Sequence, residues 1–297
     1  MIFGTNVNEF PKYGDLIPEL VTFVQTAEAE GYDYILFLDH VVGIVEEAHR
    51  NVVSTPYTSK TIIREVFTLL AYLSALTRKI RFVTGVIVLP QRETVLVAKQ
   101  AAEVDILSRG RLTLGIGVGY NPVEYQVLGA NYKSRGRRVE EQIALLREFW
   151  TKDAVSFKGE WHNFEHASLA PMPIQRPIPI WYGPGRLSQR IPSDKVLERI
   201  GRLADGWLPF FDAGPEAQAC IDKVNAAARM AGRDPNTIGL EMNLWIEGKS
   251  PKRLVDEVKS LRDFGATHIH VRIPYVSPKA DTEALARFSG EVIRHFK

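Results

Sequence analysis

The sequence is poor in cysteine. Its one cysteine, Cys220, cannot form an internal disulfide. It lies in an alanine-rich stretch of helical periodicity, ACIDKVNAAA, where a lone cysteine is more often a small packed residue than a nucleophile. We therefore predict that Cys220 belongs to the core.

The sequence also lacks a charge excess and a long apolar run. There are 37 basic and 35 acidic residues, which provide no strong field to attract nucleic acid or an anionic membrane. No stretch approaches the roughly 18 apolar residues of a membrane span, and no basic region followed by an apolar segment opens the chain. These absences predict a cytoplasmic protein that binds neither nucleic acid nor membrane.

What is present is a regular alternation of short apolar runs and amphipathic stretches. Among 297 residues, 45% are hydrophobic and 24% charged, which is typical of a globular chain with a sizeable core. About eight strand-then-helix units follow one another, and eight is the number that closes a barrel. We predict a single (β/α)8 barrel domain over residues 1–297.

The apolar runs give the strand positions. The predicted strands are 2–7, 34–38, 81–90, 111–120, 178–182, 206–210, 238–245 and 269–272. Asp15 is predicted to cap the first helix, and about 20 irregular residues after the second strand form a candidate lid. An insertion at about 151–177 contains AVSFKGEWHNF, which alternates on both sides of Lys158-Gly159 and predicts a β-hairpin outside the barrel.

Polar residues gather where the predicted strands end. Barrel enzymes build their sites on the loops that follow the strands, so this clustering predicts an active site at the carboxyl ends. The residues concerned are Asn6, Asn8, Asp39, His40, Gln91, Arg92, Tyr120, Asn121, Glu124 and Arg186.

The last two strands carry polar residues at alternate positions. One face holds Glu241, Asn243, Trp245, His268, His270 and Arg272. If the apolar face meets the helices, Asn243 and Arg272 point into the mouth, and we predict that they contact substrate. For the deeper Glu241, His268 and His270, a hydrogen-bonded core layer is an equal alternative.

Glycines and histidines each allow two interpretations. The glycines at the ends of the fourth and fifth strands are Gly115, Gly117, Gly119, Gly183 and Gly185. They would allow a planar ring or a phosphate to approach the backbone closely, or they could serve tight packing alone. The pair His268-x-His270 resembles two metal ligands, but a barrel metallohydrolase needs further ligands at other strand ends. We therefore predict no metal.

Four segments carry a family resemblance. They are AEAEGYDYILFLDH, then LSALTRKIRFVTGVIVLPQRETVLVAKQAAEVDILSRGRLTLGIGVGYNPVEYQVLG, then SRGRRVEEQIALLREFW, and finally PIPIWYGPG followed by RLADGWLP. Through about Phe211 the sequence resembles the luciferase-like monooxygenase and coenzyme F420-dependent reductase superfamily. Beyond that point the last strands match only in pattern.

The resemblance implies an FMN or F420 ring across the barrel mouth, against a bulge after strand three that often contains a non-proline cis peptide. Here that bond would be Gly85-Val86. The implied catalytic residues are His40 as acid or base, with Asp39 and Glu124. The implied cofactor contacts are Asn6, Gly85, Val86, Gly119, Tyr120, Gly183, Pro184, Gly185 and Arg186. The GPGRLSQRIPSDKV segment is longer and more polar than the family's usual glycine-rich turn.

Two cofactors imply two reactions on an unidentified small molecule. A deazaflavin exchanges hydride, whereas reduced flavin also reacts with oxygen. The Asp39-His40 pair and the RGRR block favour F420, with an FMN-dependent monooxygenase served by a partner reductase as the alternative and a non-catalytic flavin-binding protein as a third hypothesis. Trp161, His162, Trp245 and Tyr275 are candidates for an aromatic cavity or for simple packing. The resemblance also implies a homodimer.

Overall fold

The computed structural model of the chain describes residues 1–7, 17–49, 51–53, 55, 57–185 and 190–297. In these ranges the strands are β1 Ile2–Asn6, β2 Tyr34–Phe37, β3 Arg81–Thr84, β4 Ile87–Val88, β5 Leu112–Gly117, β6 Val155–Lys158, β7 Asn163–Ala167, β8 Ile180–Tyr182, β9 Gly206–Trp207, β10 Gly239–Trp245 and β11 His268–Arg272. The α-helices are α1 Ile17–Ala29, α2 Glu46–His49, α3 Val66–Leu76, α4 Thr94–Ser108, α5 Pro122–Val127, α6 Arg135–Thr151, α7 Asp194–Leu203, α8 Pro215–Met230, α9 Pro251–Asp263 and α10 Pro278–Glu291.

Parallel strands close into a barrel. The order around it is β3, β2, β1, β11, β10, β9, β8, β5 and β4, and a further pairing of β3 with β5 completes the ring. Because β3 and β4 share one position, the ring has eight positions with helices between them. The predicted (β/α)8 barrel is confirmed.

Periodicity explains which side chains reach the core. On α1 the buried side chains recur at helical spacing, namely Leu20, Phe23, Val24 and Ala27. On β11 Ile269 and Val271 are fully buried in the hydrophobic core, while the alternate His268 and Arg272 are only partly buried. The prediction that the apolar face of the last strand meets the helices is therefore confirmed, and so is the burial of Cys220.

The predicted third strand is two short strands. A cis peptide bond between Gly85 and Val86 separates β3 from β4, as the family resemblance implies. A Cβ on Gly85 would lie 1.8 Å from Leu36 Cδ2, so this position requires glycine. The continuous strand predicted over 81–90 is wrong for that reason.

The insertion forms the predicted hairpin, with a longer turn. Strands β6 and β7 make a separate two-stranded sheet joined by residues 159–162, rather than turning at Lys158-Gly159. The Glu141 carboxylate on α6 accepts the backbone N–H groups of Glu160, Trp161 and His162, which holds this wider turn in place.

Three predicted positions lie outside the described residues: Asp15, Asn8 and Arg186. Within the described ranges, no helix is both long and apolar enough to cross a membrane.

Candidate functional site

A histidine–glutamate pair lies at the carboxyl end of the barrel. His40 follows β2, and Glu124 lies in the first turn of α5, which follows β5. His40 Nδ1 is 3.2 Å from Glu124 Oε2, and the second carboxylate oxygen accepts the Val41 N–H at 2.9 Å. Asn121 caps α5 by accepting the Val123 N–H, which fixes the turn that carries Glu124.

Glu124 is almost wholly buried and remains a carboxylate. Burial raises its pKa, but the hydrogen bonds with His40 and with two further donors outweigh this effect and hold the pKa below its ordinary value. The carboxylate therefore accepts a hydrogen bond from His40, whose Nδ1 carries the proton. His40 Nε2 has no hydrogen-bond partner in the described part of the chain, so it is the nitrogen that can exchange a proton.

Asp39, the neighbour of His40, is bonded to Arg92 in the segment between β4 and α4. Both of its oxygens accept from Arg92 Nη2, at 2.8 and 2.9 Å. Burial raises the pKa of Asp39, and the Arg92 guanidinium opposes this shift without cancelling it. Asp39 thus positions the chain at His40 through an ion pair, since both its oxygens are engaged.

The loop after β2 covers this pair, as expected of the candidate lid. The Tyr57 ring lies over the His40 ring with centroids 4.2 Å apart, and Thr55 Oγ1 is 2.6 Å from the Tyr120 hydroxyl. The loop also contains the one-turn helix α2 and a bridge between Ile44 and Thr58, which the irregular sequence did not predict. Tyr57 and Thr55 carry no sequence pattern that distinguishes them from other loop residues.

The strand-end glycines make room for the cis segment. Added Cβ atoms on Gly117 and Gly183 would each lie 2.7 Å from a Val86 methyl, and one on Gly115 would lie 1.8 Å from the Thr84 carbonyl oxygen. The packing interpretation therefore accounts for these three glycines. Gly119 has a φ of +64° and its Cβ would meet Val88, so it also needs glycine for a structural reason.

A hydrogen-bonded column runs down the barrel interior beneath the mouth. His270 bridges Glu241 Oε1 at 3.1 Å and Asn6 Oδ1 at 2.8 Å, and the other Glu241 oxygen accepts the Tyr34 hydroxyl. Burial raises the pKa of Glu241, but His270 and Tyr34 lower it below its ordinary value. Glu241 and His270 therefore belong to a satisfied polar core layer that supports Asn6.

Arg272 lies at the top of this column. Its Nε donates to Asn243 Oδ1 at 2.7 Å, and its Nη1 donates to Asn6 Oδ1 at 3.1 Å. The Tyr275 hydroxyl also donates to Asn6, to the side-chain oxygen at 2.6 Å and to the carbonyl oxygen at 3.0 Å. The mouth thus brings Asn243 and Arg272 together, as the strand alternation predicts, and adds Asn6 from the end of β1.

Other predicted residues are placed separately. Trp161 and His162 belong to the hairpin turn held by Glu141, whereas Trp245 packs near Arg272 and Tyr275 contacts Asn6. Among the described residues, these contacts place Trp161 and His162 at the hairpin and Trp245 and Tyr275 at the barrel mouth, which does not support one shared aromatic cavity. Gly183 donates its N–H to the Ile116 carbonyl, and Pro184 and Gly185 follow it where the described segment ends.

A cavity of about 590 Å³ opens at the opposite end of the barrel, where the strands begin. His268 lines it, and burial lowers the pKa of His268 to about 4. Several charged groups around it are already bonded: Glu28 accepts three backbone N–H groups, and Lys297 pairs with Asp33. We place the candidate site at the carboxyl end, where barrel loops carry chemistry. Within the described ranges no group of three or more potential ligands could hold a metal ion.

The Glu124→Gln variant tests the charge assigned to Glu124. A carboxyl group with a lowered folded-state pKa stabilises the fold fully above its ordinary value of 4.5 and loses that contribution as the pH falls through the lowered pKa. We expect the variant to be less stable by about 1–3 kcal/mol at neutral pH, and the difference to shrink below pH 4.5. Urea unfolding across this pH range measures it.

The matched control is Glu103→Gln, which neutralises an exposed glutamate on α4. That change is expected to alter stability by no more than about 0.5 kcal/mol. A deficit in Glu124→Gln that stayed constant or grew in acid would show that Glu124 is not held as a carboxylate.

Comparison with known proteins identifies relatives over most of the chain. The family model described as luciferase-like monooxygenase matches residues 2–267. An uncharacterized protein of Mycobacterium tuberculosis is 33% identical over 277 residues, which cover 89% of this chain and 88% of that protein. An FMNH(2)-dependent dimethylsulfone monooxygenase of Pseudomonas putida is 26% identical over 74% of this chain and 55% of that enzyme.

Solved structures share the fold. The monooxygenase RslO1 of Streptomyces bottropensis superposes with a TM-score of 0.80 at 18% identity, over the whole of both chains. The coenzyme F420-dependent tetrahydromethanopterin reductase of Methanopyrus kandleri gives a TM-score of 0.73 at 17% identity, over 100% of this chain and 99% of the reductase. At these identities the likeness is one of fold.

Proposed function

Because this chain belongs to the luciferase-like monooxygenase family, we propose that it is an oxidoreductase that uses the deazaflavin F420 to transfer hydride to or from a small organic substrate. The observation that carries the proposal is the His40–Glu124 pair, whose free imidazole nitrogen lies under the lid at the carboxyl end of the barrel. Hydride transfer must be matched by a proton, and histidine is suited to hold it near neutral pH.

In this proposal His40 Nε2 is the atom that moves the proton. As a substrate is reduced, one of its atoms gains negative charge, and the imidazolium gives that atom its Nε2 proton. Glu124 stabilises the imidazolium and keeps Nδ1 protonated throughout. In the opposite direction, neutral Nε2 accepts the proton, and the same pair of residues serves both directions.

The residues of the mouth fit a flat ring with polar edges. The cis Gly85-Val86 segment offers a backbone surface between β3 and β4, and Asn6 at the end of β1 and Tyr120 after β5 are polar residues at the same end of the barrel. Gly183, Pro184 and Gly185 would lie on the phosphate side. When bound, F420 supplies a carbon centre that donates or accepts hydride. The Asp39-His40 pair supports F420.

An FMN-dependent monooxygenase is the second candidate. It is favoured by the dimethylsulfone monooxygenase, whose match spans 74% of this chain. In that case a separate reductase would provide the reduced flavin.

Titration of the pure protein with F420 and with FMN decides between the two candidates. We expect saturable binding of F420, and a reduced complex that persists in air until a substrate is added. Tighter binding of FMN, with reoxidation on exposure to air after anaerobic reduction, would favour the monooxygenase. If neither cofactor bound, both candidates would be wrong.

A further inference from the structure

Arg272 at the barrel mouth is held rigidly by neutral groups. Asn243 Nδ2 donates to the Pro209 carbonyl at 3.1 Å, so its oxygen faces Arg272 Nε. Asn6 Oδ1 accepts from Arg272, Tyr275 and His270, and since a guanidinium only donates, the atom facing Arg272 must be oxygen. Amide oxygens fix the position of the guanidinium without cancelling its charge.

Arg272 forms no salt bridge with any residue in the described ranges of the chain. Arginine has five N–H groups, and Arg272 uses only Nε and one Nη1 proton in contacts with these residues. The rings of Phe210 and Trp245 lie beside the guanidinium. Their centroids are 6.0 Å (Phe210) and 5.8 Å (Trp245) from its central carbon. Aromatic faces attract a cation only weakly, so the remaining N–H groups are available to a stronger acceptor.

Glu241 lies near Arg272 but does not pair with it directly. The two carboxylate oxygens of Glu241 are bonded to His270 and to the Tyr34 hydroxyl, in the layer beneath the guanidinium. Glu241 therefore acts on Arg272 only at a distance, and the contacts of the guanidinium itself are with the neutral amides of Asn243 and Asn6.

We propose that Arg272 is a specificity-determining residue that binds a carboxylate, or another oxyanion, of the substrate. The inference rests on the proposed function, because it places this anion at the mouth where the substrate would lie. A carboxylate matches the planar fork of a guanidinium, and the walls formed by Phe210 and Trp245 suit an apolar group attached to it. The substrate class is therefore an organic acid anion.

Matched acid–amide pairs test this proposal by calorimetry. The probes are benzoate with benzamide and acetate with acetamide, each titrated into the protein alone and into the protein loaded with the cofactor that binds. We expect at least one acid to bind about tenfold or more tightly than its amide, because hydrogen bonds to charged groups are the stronger ones. Arg272→Gln should abolish this preference, and Arg272→Lys should retain part of it.

The control variant is Arg137→Gln, which changes an exposed arginine paired with Glu160 and should leave the acid–amide ratio unchanged. The proposal would be overturned if the wild-type protein bound acid and amide equally in both pairs. It would also be overturned if Arg272→Gln bound benzoate with the affinity of the wild-type protein. A cofactor affinity lowered tenfold in Arg272→Gln would assign the arginine to the cofactor instead and also overturn it. The cofactor-free titrations decide the matter even if neither F420 nor FMN binds.

Discussion

Replacing His40 with alanine is expected to slow turnover by about 100-fold or more while changing the dissociation constant of the cofactor by less than about threefold. The physical reason is that, in the proposed function, Nε2 of this imidazole exchanges the proton that accompanies hydride transfer. Glu124, whose Oε2 lies 3.2 Å from Nδ1, can stabilise the imidazolium, but both its oxygens also accept hydrogen bonds from Val41 and Gln91. The rate is followed by the absorbance of the cofactor, and the dissociation constant by direct titration.

Two further measurements separate a proton-transfer role from a structural one. Added imidazole should restore part of the His40→Ala rate, which it would not do if the variant were merely misfolded. His166→Asn is the control, since His166 is exposed on the hairpin and has a φ of 55°, which asparagine tolerates. A His40→Ala enzyme that kept more than about a tenth of the wild-type rate would remove His40 from the mechanism.

Replacing Gly115 with alanine is expected to cause the largest loss of stability. The added Cβ would lie 1.8 Å from the Thr84 carbonyl oxygen, a backbone atom that cannot rotate away. Thr84 Oγ1 also donates to the Gly115 carbonyl at 2.7 Å, so a shift of either strand would break this contact as well. We expect a loss of at least about 3 kcal/mol in the free energy of unfolding, or no folded protein at all.

Two other glycine variants make this prediction specific. In Gly117→Ala the new Cβ meets a Val86 methyl at 2.7 Å, and the loss should be smaller, at about 1–2 kcal/mol. Gly290 lies exposed on α10 with no atom near its Cβ position, and its replacement by alanine should stabilise the helix by up to about 1 kcal/mol. Denaturant unfolding gives the ranking. A Gly115→Ala protein as stable as wild type would contradict the packing described for the cis segment.

The fold follows from the sequence where a simple period governs it. Alternation on β11 separates Ile269 and Val271 from His270 and Arg272, and the structure confirms it because a strand has only two faces. The short helix α5 escaped prediction although Asn121, Pro122 and Glu124 form a capping signal. Because α5 has only six residues, it is too short to show the periodic apolar stripe by which helices are recognised in a sequence.

The site is only partly predictable from the sequence. The strand-end rule brings Asp39, His40 and Glu124 to one end of the barrel, but it does not show that Glu124 is bonded to His40. The contact of Tyr57 with His40 joins a loop to a strand end, and no local pattern encodes such a contact. The position of the cis bond came from family resemblance, because the side chain that requires glycine there, Leu36, is distant in sequence.

A crystal structure of the protein with its bound cofactor tests the central claim most directly. The account predicts a ring at the carboxyl end of the barrel, against Gly85-Val86, with its reactive edge facing His40 Nε2. Electron density for the ring in the cavity at the amino-terminal end, or anywhere away from His40, would contradict it.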